Sequence, residues 1–159
     1  MAREIETKCI HLEEEENSIN HYGAISYPIY QSATYAHPGV GQSTGYDYSR
    51  LQNPTREHLE KTVASLENGI NALAFSSGMA AITLMMELFK PGDHLIVDAD
   101  LYGGSIRLFN HVSEKNGIEF SSVDCHKKNV AAYIRENTKA VYIETPTNPM
   151  TVSYTHLRA

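Results

Sequence analysis

Strands alternating with helices from residue 72 onward predict an α/β fold: a mostly parallel sheet with helices on both faces, preceded by an extended N-terminal arm. Three observations carry that prediction. Short apolar or β-branched runs recur at residues 72–75, 94–97, 118–123 and 140–144. Segments of helical length separate them, punctuated by Asn68-Gly69, Lys90-Pro91-Gly92-Asp93 and Asn116-Gly117. Residues 1–53, by contrast, show little periodicity yet hold six of the ten tyrosines, at positions 22, 27, 30, 35, 46 and 48.

In chain order, the arm comes first, with Pro28, Pro38 and several glycines among its tyrosines. A loop of this length is generally functional or docked on another surface, so the arm is expected to pack on a neighbouring subunit; a frayed terminus is the alternative. Glu13 to Glu16 read as a solvated charge run, and His11, His21 and His37 as surface or packing residues. Regular structure is expected to begin at Asn53-Pro54-Thr55, where Asn53 caps and Pro54 takes the first helical position. Leu59, Val63 and Leu66 continue at helical spacing until Asn68-Gly69. A buried strand over 72–75 then leads through small residues into a helix over 80–88. The pattern goes on as a strand at 94–97, a helix over 104–115, a strand at 118–123, a helix over 129–136 and a strand at 140–144.

Composition narrows the function. The 159 residues are 42% hydrophobic and 20% charged, enough for one domain-sized core. A net charge of −6, with 13 Lys and Arg that form no basic stripe, argues against nucleic acid or an anionic membrane and for a small-molecule partner. Cys9 and Cys125 show no metal-binding spacing and read as free thiols of a reducing compartment. Residues 1–20 lack a signal-peptide core and no run is long enough to cross a bilayer, so a cytoplasmic location is expected.

Candidate site residues follow from where sheets of this kind bind ligands, beyond the carboxyl ends of the strands. In Phe75-Ser76-Ser77-Gly78-Met79-Ala80-Ala81 a helix starts straight after a strand, aiming unpaired N–H groups and the positive dipole end outward, which suits an anion. Ser76 and Ser77 can cap or donate, and Gly78 admits a ligand to the backbone; an ordinary capped turn explains the same residues. Arg50, two residues after Tyr48, can grip phosphate oxygens with its guanidinium fork. Tyr102, between a strand and Gly103-Gly104, can stack on a flat ligand. Glu144-Thr145-Pro146-Thr147-Asn148-Pro149 places a carboxylate, an amide and two prolines at the sheet rim, or is a plain Pro-rich turn.

Taken together and in order, Tyr48-Ser49-Arg50, Asn53-Pro54-Thr55, Ser76 to Ala81, Leu101-Tyr102-Gly103-Gly104 and Glu144 to Pro149 resemble the cysteine and methionine metabolism family of pyridoxal-phosphate enzymes. The family includes cystathionine γ-synthase, cystathionine lyases, methionine γ-lyase and O-acylhomoserine sulfhydrylases. The resemblance runs from about Ile10 to Met150. It implies the large domain of a fold-type I pyridoxal-phosphate transferase, incomplete here over residues 54–151, with residues 1–53 as an arm that crosses to a dimer partner. It implies pyridoxal 5'-phosphate as cofactor, an amino acid as substrate, and a homodimer or homotetramer. By the same resemblance Ser77, Gly78 and Met79 hold the cofactor phosphate, and Tyr48 and Arg50 reach it from the adjacent subunit. Tyr102 stacks on the pyridine ring and assists proton transfer, Asn148 bonds near the phenolic oxygen, and Glu144 supports the rim.

The pattern then stops. The chemistry needs a lysine that holds the cofactor covalently and an aspartate at the pyridine nitrogen, and in the family both lie beyond the segment matching Glu144 to Pro149. Lys139, in Thr138-Lys139, is expected just before a strand and ahead of the Asn-Pro turn, the wrong place for that lysine. Residues 152–159 resemble a reading frame of a transposon-end sequencing adapter, whose codons read Val-Ser-Tyr-Thr-His, and are expected to be foreign; a natural variable tail is the alternative. The expected parent enzyme is of cystathionine γ-synthase or cystathionine lyase type, with the sulfhydrylases next and the fragment itself inactive. Gly104 stands where methionine γ-lyases typically carry a cysteine, which weakens that option. Of the other classes, a phosphate-ligand-binding α/β module would use the same helix N-terminus beside Gly78, although neither Gly-x-Gly-x-x-Gly nor a P-loop occurs, and a non-catalytic short paralogue would dimerise with a full enzyme and donate its arm.

Overall fold

A computed structural model of the chain describes residues 4–10, 24, 26–148 and 150–151. The expectations for His11, Glu13 to Glu16, His21, Tyr22, Pro149 and residues 152–159 lie outside the described residues. By internal contacts the chain forms two compact units, residues 1–74 and 75–159.

The first unit corrects the reading of a structureless arm at its start, where helix α1 spans Ile5–Ile10. Its first turn carries Glu6 and its last Lys8, which complement the helix dipole. Helix α2, Pro54–Leu66, begins where the sequence places it. The Asn53 carboxamide oxygen accepts from the N–H groups of Thr55 at 2.9 Å and Arg56 at 3.3 Å. Its Nδ2 donates to the Tyr30 carbonyl at 3.1 Å, the Tyr35 hydroxyl at 3.2 Å and Ser49 Oγ at 3.1 Å, so one side chain caps the helix and anchors the arm. Residues 33–35 and 47–49 run antiparallel around a Thr34–Tyr48 bridge. Beyond α2, Asn68 turns left-handed at φ 54° and stops the helix.

Residues 72–75 are not the expected buried strand: they pair with no strand among the described residues, and Leu73 and Phe75 are 66% and 41% exposed. An apolar run becomes a strand only when a neighbour accepts its backbone hydrogen bonds, and here the Ala74 N–H is taken instead by the Glu60 carboxylate at 2.9 Å.

The second unit opens with helix α3, Gly78–Met86. Strand β1, His94–Asp98, follows; helix α4, Gly103–Leu108, continues as a π-helical turn over Phe109–Ser113. Strand β2 spans Glu119–Val123 and strand β3 Thr138–Tyr142. The three strands are parallel in the order β2-β1-β3. Every residue of β1 is buried, as expected for a central parallel strand. The core joins Met86, Leu95, Val97, Leu101, Phe109 and Ile118, with Phe120 stacked on Phe109 at 5.1 Å and Tyr142 edge-on to it at 5.2 Å.

Two further expectations change. The helix over 129–136 is only a single 3₁₀ turn, Val130–Tyr133, capped by Asn129; none of the turn's residues is buried, so its apolar side chains gain no packing that would sustain a longer helix. Strand β3 starts at Thr138, two residues earlier than the apolar run, because His94 pairs with Thr138 ahead of a register irregularity at Leu95. Lys139 thus sits inside β3 rather than before it.

Candidate active site

Parallel pairing brings the carboxyl ends of β1 and β3 to one edge of the sheet, and the chain leaves both toward polar residues. From β1 it passes through buried Leu101 to exposed Tyr102, the N-cap of α4; from β3 it reaches Glu144 two residues on. These two meet. Glu144 Oε2 accepts the Tyr102 backbone N–H at 2.7 Å, and Oε1 accepts the hydroxyls of Ser105 at 2.5 Å and Tyr142 at 2.7 Å. Burial pushes the Glu144 carboxyl upward, but its three donors outweigh that and hold it below the usual carboxylate range. Burial, reinforced by the bond to Glu144, pushes the Tyr142 phenol up to about 12.

Helix α3 contributes the third part. Ser77 caps it, its Oγ accepting the Ala80 N–H at 3.2 Å, and the Ser77 carbonyl accepts from Ala81 at 3.2 Å. The N–H groups of Gly78 and Met79, ahead of those positions, have no acceptor within the helix. A Cβ added at Gly78 would meet nothing within 4 Å, so the space beside the Gly78 Cα is open. The Met79 side chain leads back to Tyr102: at buried Gly104 a Cβ would lie 2.9 Å from Met79 Sδ and 2.9 Å from Tyr102 Cδ1, with Tyr102 Cε1 closer still. Gly104 thus leaves the space in which the Met79 side chain, from the first turn of α3, and the tyrosine ring come together.

In the second unit Met79 thus lies beside the Tyr102 ring across Gly104, Tyr102 is bonded to Glu144, and Ser77 and Gly78 begin the helix that carries Met79. Asn148 lies exposed in the turn beyond β3, four residues after Glu144. Tyr48 and Arg50 belong to the first unit, where the Arg50 guanidinium lies over the Tyr48 ring at 5.1 Å from its centroid. Arg56 fixes the loop that carries them, donating to the carbonyls of Ser49 at 3.0 Å and Leu51 at 2.6 Å. Sequence reasoning missed Ser105 and Tyr142. Neither stands in a motif, and only the fold brings Ser105 to a carboxylate 39 residues away.

A family profile described as Cys/Met metabolism PLP-dependent enzyme matches residues 6–154. The chain is 48% identical over 155 residues to cystathionine gamma-synthase/O-acetylhomoserine (thiol)-lyase of Bacillus subtilis (strain 168), an alignment covering 94% of this chain and 40% of that protein. It is 54% identical over 129 residues to cystathionine gamma-lyase of the same organism, covering 80% of this chain and 34% of that protein. Among solved structures it is similar to metB of Corynebacterium glutamicum, with a TM-score of 0.83 at 40% identity over 95% of this chain and 40% of that one. It is likewise similar to cystathionine gamma-lyase of Lactobacillus plantarum complexed with L-serine, with a TM-score of 0.79 at 42% identity over 95% of this chain and 39% of that one. The chain thus spans about 40% of the length of curated relatives that it matches. With a family profile matched over residues 6–154 and a solved structure aligned over 95% of its length at a TM-score of 0.83 and 40% identity, the chain belongs to the Cys/Met metabolism family of pyridoxal-phosphate-dependent enzymes.

Proposed function

We propose that this chain is the amino-terminal part of a pyridoxal-phosphate enzyme that forms or cleaves the thioether of cystathionine, and that the 159 residues alone are inactive. The observation that carries the reading is the open, Ser77-capped start of α3 beside the Tyr102 ring, in a chain 48% and 54% identical to enzymes of those names. The residues fit the cofactor. The N–H groups of Gly78 and Met79 hold its phosphate at the positive end of α3, and Ser77 adds a hydroxyl beside them. Tyr48 and Arg50 close on the same phosphate from an adjacent subunit. Tyr102 covers the ring and moves a proton at its phenol oxygen; Asn148 donates at the rim. Bound there, pyridoxal phosphate supplies an electron sink for charge that develops at the amino acid's α-carbon. The covalent lysine and the aspartate at the pyridine nitrogen come from the part of the relatives' length that this chain does not match, and residues 152–159, of which the family profile reaches only the first three, are adapter-derived.

The test is the full-length protein, recovered by long reads across codon 151 of the source DNA and purified. The expected result is a yellow protein that either joins an activated homoserine to cysteine or releases a thiol from cystathionine. A colourless protein whose melting responds to nucleotides overturns the reading in favour of a phosphate-ligand-binding module. A stop codon directly after Ala159 overturns the adapter origin. The intersubunit role has its own experiment: mixing Arg50→Ala and Tyr102→Ala subunits restores activity that neither has alone if the arm acts across the interface, and restores none if it acts within one subunit.

A further inference from the structure

We infer that Glu144 is a positioning residue for Tyr102, acting through the Tyr102 main chain as an acceptor and not through its charge. This rests on the reading that Tyr102 works at the cofactor ring. Tyr102 is the N-cap of α4 at φ −54° and ψ 134°, and no side-chain cap holds it there. What holds it is Glu144 Oε2, which takes the Tyr102 N–H at 2.7 Å from 42 residues along the chain. The second oxygen is occupied as well, by Ser105 in the first turn of α4 and by Tyr142 at the end of β3. The clamp therefore ties the start of α4 to the end of β3, and the core bears on it through the Tyr142 ring packed edge-on to Phe109. With both carboxylate oxygens engaged by protein donors, the side chain serves the ring that stands over the site.

The donor set gives the test its discrimination. A main-chain N–H can only donate, whereas Ser105 and Tyr142 hydroxyls can also accept. In Glu144→Gln the amide oxygen can replace Oε2 toward Tyr102, while the NH₂ group replaces Oε1 and donates one hydrogen to each hydroxyl. In Glu144→Ala nothing accepts the Tyr102 N–H. In the full-length enzyme, Glu144→Ala is expected to lower kcat roughly 10- to 100-fold with little change in KM, the size expected when a reacting group is misplaced by about an ångström. Glu144→Gln should recover most of that loss. In a Tyr102→Ala background, Glu144→Ala should cost almost nothing further, because a residue that acts through another has no effect once the other is gone. A readout independent of activity is amide exchange at Tyr102 in cofactor-free protein, expected to quicken on the order of 10-fold in Glu144→Ala and stay slow in Glu144→Gln.

The inference is overturned by an unchanged exchange rate at Tyr102 in Glu144→Ala, by an equal loss of kcat in the Tyr102→Ala background, or by Glu144→Gln failing as Glu144→Ala does. If Glu144→Ala does not fold, Glu144→Asp draws the carboxylate back by one methylene and is subject to the same comparisons. A wild-type protein that binds no pyridoxal phosphate would sink the functional reading, while the exchange measurement would still decide the clamp.

Discussion

At the residue scale, the site depends on a missing side chain as much as on those present. Gly104 has no room for a Cβ, because the Tyr102 ring and Met79 Sδ occupy the space. Both neighbours are side chains, so Gly104→Ala is expected to displace the tyrosine ring and to cost about 1–3 kcal/mol, the usual penalty for overpacking. A thermal melt and the absorption spectrum of the cofactor-loaded full-length enzyme check this; an unshifted spectrum and melt would show that the ring tolerates a methyl group. A second residue governs acid stability. His94 is fully buried at the start of β1, its Nδ1 2.7 Å from Thr138 Oγ1 and its Nε2 2.9 Å from Ser121 Oγ. Burial lowers its pKa from the ordinary 6.5, the nearby Arg135 guanidinium lowers it further, and Glu119 opposes them. The unfolded chain therefore binds this proton more readily than the folded one. The neutral ring's contribution is complete above pH 6.5 and declines as pH falls below it toward the depressed value. A melting temperature that drops between pH 7 and pH 5, with a flatter profile in His94→Gln, is the expected result. Identical profiles would remove His94 from the account.

At the scale of elements, the caps carry disproportionate weight. Asn53 makes bonds to two helix N–H groups and three arm acceptors, so Asn53→Ala should cost at least the upper end of ordinary capping losses, about 2 kcal/mol. Urea unfolding of the full-length protein measures it, and a loss near zero would mean the arm contacts contribute nothing. Helix α2 and helix α3 were legible because Asn-Pro-Thr and Ser-Ser-Gly carry capping chemistry within a few residues. Strand β1 was legible because the core of a central strand leaves an apolar run, here Leu95-Ile96-Val97, although the buried positions His94 and Asp98 on either side are polar. The segment over 129–136 forms one 3₁₀ turn rather than the expected helix, since whether its apolar residues find a surface to pack on is not written in the segment itself. Residues 72–75 have strand composition, but composition supplies no partner.

At the scale of the molecule, the chain leaves apolar surface uncovered in both units. Leu59 and Val63, the stripe that marked α2 in the sequence, are 52% and 41% exposed, and Ile70 is 96% exposed. In the second unit Leu88 is 79% and Ile134 59% exposed, and β2 and β3 are both edge strands of a three-stranded sheet. Such faces and edges favour association. Residues 1–159 expressed alone are therefore expected to be poorly soluble, and the full-length protein soluble, as judged by gel filtration. A monomeric 159-residue product with a cooperative melt would contradict this and the account of the chain as a portion of a larger fold.

The sequence by itself determined the α/β class, the helix start at Pro54, the existence of a helix after Ser76-Ser77-Gly78 though not its start at Gly78, the central strand, and the family to which the motifs belong. These are properties of local chemistry and residue order: caps, glycine turns and apolar runs act within a few residues. Only the tertiary structure decided that Glu144 faces the Tyr102 main chain, that Ser105 and Tyr142 share its carboxylate, that Gly104 houses the Tyr102 ring against Met79, and that residues 72–75 stay unpaired. Each of these depends on strand pairing and packing between segments distant in the chain, and no residue's identity encodes the distance to a partner some 40 positions away.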